Sequence, residues 1–152
     1  MSETAEITPI VQVVRAGRRS GAAADHVALN YDGRRRRRIV LTGRGGGRYL
    51  LDLPEAAHLR DGDALMLADG RFVLVEALPE ALLEVRAASP AALLRLAWHI
   101  GNRHLSAAIS ADRILIRSDH VIAHMLEHQG ATLREVQEVF DPEDGAYHDH
   151  AH

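Results

Sequence analysis

The residues of this chain best suited to chemistry are its ten histidines, because imidazole is the commonest ligand for borderline metal ions. The end of the chain reads His148-Asp149-His150-Ala151-His152. Imidazoles two residues apart on a segment without apolar anchors can turn toward one ion, and Asp149 adds a hard oxygen; a solvated polar tail is the plain alternative. His120, His124 and His128 repeat every four residues. On a helix they form one slowly drifting stripe, and two histidines one turn apart can chelate; otherwise they are a solvated face beside the apolar seam of Val121, Ile122, Met125 and Leu126. The residues between His120 and His124 are Val121-Ile122-Ala123. They lack the glutamate of a His-Glu-x-x-His site, so a zinc hydrolase has no general base here. His104 follows Gly101-Asn102-Arg103 at a junction, where it is either a surface histidine or a presented ligand, whereas His99 reads as a packing or surface residue.

The chain has no cysteine, which removes disulfides, thiolate nucleophiles and every thiolate metal site. Any metal site must then be of nitrogen and oxygen type, suited to Ni2+, Zn2+, Cu2+ or Co2+ without choosing among them. The five arginines Arg34 to Arg38, with Arg44 and Arg48 nearby, make one basic patch in a chain of formal charge -3. That run is expected to enter a strand and to protect an edge or meet an acidic partner, with a peptide- or RNA-binding module as the alternative function. Gly45-Gly46-Gly47 lacks the Lys-Ser/Thr of a phosphate-binding loop, and no nucleophile–base arrangement is legible, so no catalytic residue is assigned. No leader or membrane-spanning run is visible, so the expectation is a cytoplasmic protein with no membrane and no nucleic-acid partner.

These residues need elements to position them. Hydrophobic residues make up 47% of the chain and aromatics 4%, so the cores must be built from Leu, Val, Ile and Ala. Apolar β-branched runs at Ile10 to Val14, Ile39 to Leu41, Tyr49 to Leu51, Ala64 to Leu67 and Phe72 to Val75, with Asp69-Gly70 as a hairpin turn, predict an almost helix-free β domain over residues 1–78. After Leu78-Pro79 the pattern changes. Leu82 to Arg86 reads as a strand, and Ser89-Pro90 opens a helix to about Asn102 that Gly101-Asn102 can stop. Ala107 to Ile109 and Ile114 to Ile116 form a hairpin, Ser118 or Asp119 caps a helix from about His120 to Gln129 closed by Gly130, and Leu133 to Val139 alternates as a last strand. The order β-α-β-β-α-β over residues 79–140 is the ferredoxin-like split unit. The fold class is therefore α+β, a small all-β domain followed by a ferredoxin-like domain, with residues 141–152 as a flexible His-containing tail.

At this point the motifs take on a pattern. Trp98-His99-Ile100-Gly101-Asn102-Arg103-His104 resembles the motif of the UreE family of urease accessory proteins, as do Leu59-Arg60-Asp61-Gly62-Asp63, Leu78-Pro79-Glu80, Arg117-Ser118-Asp119-His120-Val121 and Phe140-Asp141-Pro142-Glu143-Asp144-Gly145-Ala146-Tyr147. The resemblance covers nearly the whole chain. It implies a nickel metallochaperone rather than an enzyme: an N-terminal peptide-binding β domain, a ferredoxin-like metal-binding domain and a homodimer. It further implies a GTPase partner among the urease accessory proteins and delivery of Ni2+ to the urease apoprotein. By the same resemblance His104 matches the ligand held between subunits and His120 a peripheral ligand. Some relatives carry a second histidine where this chain has Ser118. Many also carry a long polyhistidine tail, here reduced to His148, His150 and His152.

Overall fold

The computed structural model describes residues 6–17 and 21–143. The chain divides into two compact units, Met1–Leu78 and Pro79–His152.

The first unit is a six-stranded sheet built from β1 (Ile7–Val14), β2 (Asp25–Leu29), β3 (Arg38–Thr42), β4 (Arg48–Asp52), β5 (Ala64–Leu67) and β6 (Phe72–Ala77), in the order β2-β6-β5-β1-β4-β3. The Gly43–Gly47 turn joins β3 to β4 as an antiparallel hairpin, and the Asp69-Gly70 turn joins β5 to β6 in the same way. The two edge strands approach one another: the Arg44 amide, just past β3, donates to the His26 carbonyl of β2 at 2.8 Å. This nearly closes the sheet and shields its edges. Asp25 holds the closure. Its carboxylate accepts from Tyr49 Oη at 2.6 Å and from the Gly45 amide at 2.8 Å. A side chain at Gly43 would collide with that carboxylate, so the turn requires glycine there. Val27, Leu41, Leu51, Leu65, Val73 and Val75 fill the interior.

Two features of this unit depart from the sequence expectation. Strand β2 pairs in parallel with β6 in register Asp25 to Val73 through Leu29 to Ala77; its five residues carry no strong strand signal and are held by a partner distant in sequence. The basic run, in turn, enters a strand only at Arg38. Arg34 instead ends a single helical turn, α1 (Tyr31–Arg34), capped by Asn30, whose side chain accepts from the Gly33 amide at 2.8 Å. Arg34 is 0% exposed and donates to the Leu59 carbonyl at 3.3 Å. The five arginines therefore do not form one solvent-facing strand.

The second unit is a four-stranded sheet of β7 (Pro79–Arg86), β8 (Ala108–Ile109), β9 (Ile114–Arg117) and β10 (Thr132–Val139) with helices α2 (Pro90–Asn102) and α3 (His120–His128). All three strand pairings are antiparallel and the order is β10-β7-β9-β8, the ferredoxin-like arrangement expected from the β-α-β-β-α-β order. Ser89 caps α2, its hydroxyl accepting from the Ala92 amide at 3.1 Å, with Pro90 at the first helical position. Asp119 caps α3 through the Val121 and Ile122 amides at 2.9 and 3.2 Å, and Gly130, with φ +88°, follows its end. Leu83, Val85, Ile114 and Ile116 from the sheet pack with Leu93, Leu96 and Ile100 of α2 and Leu126 of α3.

The buried seam of α2 is Leu93-Leu96-Ile100, whereas Leu94 and Trp98, which an apolar-spacing reading groups with Leu93 and Ile100, are out of phase with that seam and lie on the outer side, 72% and 65% exposed. The chain beyond Phe140 is not detached at once. Pro142 is buried, the Glu143 amide donates to the Ala107 carbonyl at 2.8 Å, and residues to 143 thus continue the second unit.

Candidate metal centre

His104 closes the turn that ends α2. Gly101 and Asn102 remain inside the helix, Arg103 is its C-cap, and the left-handed residue is His104 itself, at φ +60°. Among the described residues it is the one non-glycine with positive φ. Its amide donates to the Gly101 carbonyl at 3.0 Å, and the next amide, of Leu105, to Ile100 at 3.3 Å. This reverses the chain and turns the imidazole outward, since His104 is exposed. A histidine in this region is uncommon, and a side chain held in left-handed backbone is a reason to look for a role.

Beside His104 lies a cleft of about 250 Å³ lined also by Ser106, Ile116, Arg117, Ser118 and Asp119. A second cleft, on the other side of the Ser118–Asp119 turn, is lined by His120, Ala123, Glu127, Arg134 and Glu135 together with those same two residues. The turn between β9 and α3 therefore stands between the two histidines that the resemblance singles out. Asp119 is committed to capping α3, and among the described residues no group of three or more His, Asp or Glu side chains is placed to hold a metal ion. A single copy of the described chain thus offers His104 and His120 as separate exposed donors. His148, His150 and His152 lie outside the described residues.

The remaining histidines divide by environment. His58 meets the Tyr31 ring edge-on at 5.4 Å and lies 3.4 Å from Arg34 Nη1 through Nε2, a packing role in the β unit. His99 stacks edge-on with Trp98 at 5.1 Å. His124 and His128 are both exposed on α3, their ring centroids 4.7 Å apart. Ser106 and Arg117, which border the His104 cleft, were not legible as site residues, because only the fold brings the β9 end against the α2 turn. The outward placement of Leu94 and Trp98 did have a signal: they are four apart and out of phase with Leu93, Leu96 and Ile100.

These features define a two-unit α+β protein, a nearly closed β unit followed by a ferredoxin-like unit whose helix ends present exposed histidines. Residues 7–78 match the family description "UreE urease accessory protein, N-terminal domain", and residues 80–152 match "UreE urease accessory protein, C-terminal domain". A protein of Bradyrhizobium sp. (strain ORS 278) called "Urease accessory protein UreE" is 53% identical over 131 residues, covering 86% of this chain and 62% of the relative. Proteins of the same name from Chelativorans sp. (strain BNC1) and Rhizobium rhizogenes (strain K84) are 52% and 45% identical, over 86% and 93% of this chain and 82% and 84% of theirs. The chain belongs to the UreE family of urease accessory proteins. It spans about three fifths of the length of the first Bradyrhizobium relatives it matches, 62% and 64%.

Proposed function

We propose that this protein is a nickel metallochaperone that carries Ni2+ and delivers it to apo-urease, in concert with a urease accessory GTPase, in the cytoplasm. Membership of the urease accessory family supports the destination, and the observation that carries the metal role is His104. It is exposed, held in left-handed backbone at the end of α2, and next to an open cleft. One imidazole cannot hold a divalent ion tightly, and the described residues add no second and third donor around it. A symmetric homodimer supplies His104 twice at one axis, and the exposed Leu94 and Trp98 on the same helix are the apolar surface such a dimer needs. Two imidazoles with water, and tail histidines His148, His150 and His152 as further donors, suit an ion that must be released, because incomplete coordination leaves positions for a receiving ligand. His120 is a peripheral donor in this reading. The donor set also accepts Zn2+, Cu2+ or Co2+.

The test is a paired calorimetric titration of wild type and His104→Ala with Ni2+, with circular dichroism and sedimentation as controls. His104→Ala removes two nitrogens from one ion in the dimer, so the tightest site is expected to disappear while fold and dimer persist. A folded, dimeric variant with unchanged tight-site affinity sinks the assignment of His104.

A further inference from the structure

His124 and His128 are used neither by the fold nor by the centre proposed at His104. The buried side of α3 is Leu126, with Ile122, Ala123 and Met125 packed against the core. The two histidines stand one turn apart on the outer side, both exposed. Their ring centroids are 4.7 Å apart and their planes cross at 79°. This can be compared with what a shared ion requires. A metal bound about 2.0–2.1 Å from a ring nitrogen lies about 3.2 Å from that ring's centroid, so two adjacent imidazole ligands have centroids about 4.5 Å apart at a right angle and about 5.2 Å apart at the tetrahedral angle. The observed separation falls between the two. His128 also sits in the last turn of α3, at the negative end of the helix dipole, where a cation is favoured, with His124 one turn before it.

We propose that His124 and His128 form a second metal site, a two-nitrogen chelate for a borderline divalent cation, with Cu2+ held more tightly than Ni2+ or Zn2+. No third carboxylate or imidazole among the described residues completes it. The remaining positions are therefore left to water or to an incoming ligand, which makes the site open and exchangeable. It does not depend on the His104 reading, since both ligands come from one helix of one chain.

The probe is Cu2+–iminodiacetate, whose three-pronged cap leaves copper with adjacent open positions and so selects paired imidazoles. Binding to the full chain is measured by calorimetry and electron paramagnetic resonance for wild type, His120→Gln, His124→Gln, His128→Gln and the His124/His128 double variant, with circular dichroism as the folding control. Because the tail histidines also bind copper, the readout is the difference between variants. Each single substitution at His124 or His128 is expected to weaken one equivalent by about tenfold or more and to lose as much as the double variant does, because half a chelate is not a site. His120→Gln is expected to leave that equivalent intact. The ion should also raise the melting temperature of wild type, and this rise should vanish in both single variants, since the chelate exists only when α3 is folded. Three results overturn the proposal: losses that simply add between the two single variants, no loss at all, or equal loss in His120→Gln, which would place the ion between His120 and His124.

Discussion

Glu84 projects from β7 on the sheet face opposite the helices, because its neighbours Leu83 and Val85 point into the core beside α2. It is 3% exposed and accepts from Arg86 Nε and Arg113 Nη1, each at 3.0 Å, with Arg134 close by at 3.4 Å. The Arg86 hydrogen bond, against the opposing effect of burial and with help from Arg113 and Arg134, holds this carboxyl down at about 2 from an ordinary value of 4.5. A carboxylate lowered on folding adds stability that is complete above its unfolded value and is lost as pH falls toward the folded one. Acid should therefore destabilise the second unit between about pH 4.5 and pH 2. Glu84→Gln should flatten that part of the profile and cost about 1.5–3 kcal/mol at neutral pH, nearer the lower end because the arginines are partly solvated. Chemical denaturation from pH 2 to pH 7 reads both, and identical acid profiles for wild type and Glu84→Gln exclude the mechanism. None of this was visible in the sequence, where Glu84 is one acid in a short apolar strand and Arg113 and Arg134 are distant positions. Arg34 makes the same point. A charge in a basic run reads as solvated, whereas the fold buries Arg34 against partners distant in sequence, among them the Leu59 carbonyl 25 residues away and the His58 ring.

At the scale of elements, legibility follows the range of the interaction. Both long helices were readable at their starts because Ser89-Pro90 and Asp119 act within three residues, and the β5–β6 hairpin was readable from Asp69-Gly70. Strand β2 was not, since its stability comes from parallel pairing with β6, some 48 residues on. The end of α2 lies between these cases. Gly101-Asn102 is a local stop signal, yet the helix runs through both and His104 takes the left-handed angle, so the histidine's identity was legible and its backbone was not. The left-handed conformation costs an L-residue about 1–2 kcal/mol and glycine almost nothing. His104→Gly should accordingly be more stable than His104→Ala by about 1 kcal/mol, after allowing for glycine's extra freedom when unfolded. Thermal and urea denaturation of the two variants measure it; equal stabilities would mean that the turn relaxes away from φ +60° once the imidazole is gone. His104→Gly also serves as the better-folded partner in the nickel titration.

For the whole molecule, the proposal at His104 needs a second copy of that imidazole, and the proposed homodimer supplies it only if the faces that meet lie near His104. Trp98 lies four helical residues, about 6 Å along the axis, before Asn102 ends α2, and His104 follows two residues later in the reversing turn. With Leu94 it forms an exposed apolar pair on α2, whereas Leu93, Leu96 and Ile100 of the same helix are already used in the core. Two-fold symmetry lets such a pair cover its own copy and brings both His104 side chains toward one axis. Because Leu94 and Trp98 are largely exposed within one chain, changing them should alter the folding stability of a single chain by roughly 0.5 kcal/mol or less. In the dimer they should be central, where large aromatic anchors carry most of the binding energy. Leu94→Ser combined with Trp98→Ser should therefore yield a folded monomer by sedimentation and normal far-ultraviolet circular dichroism. It should lose the tight nickel site as completely as His104→Ala does, although His104 itself is untouched. Raising the protein concentration should restore some dimer and, in step with it, some of the tight site. A double variant that stays dimeric and keeps its tight site would show that copies meet elsewhere, and a monomer that still binds nickel tightly would show that one chain is sufficient.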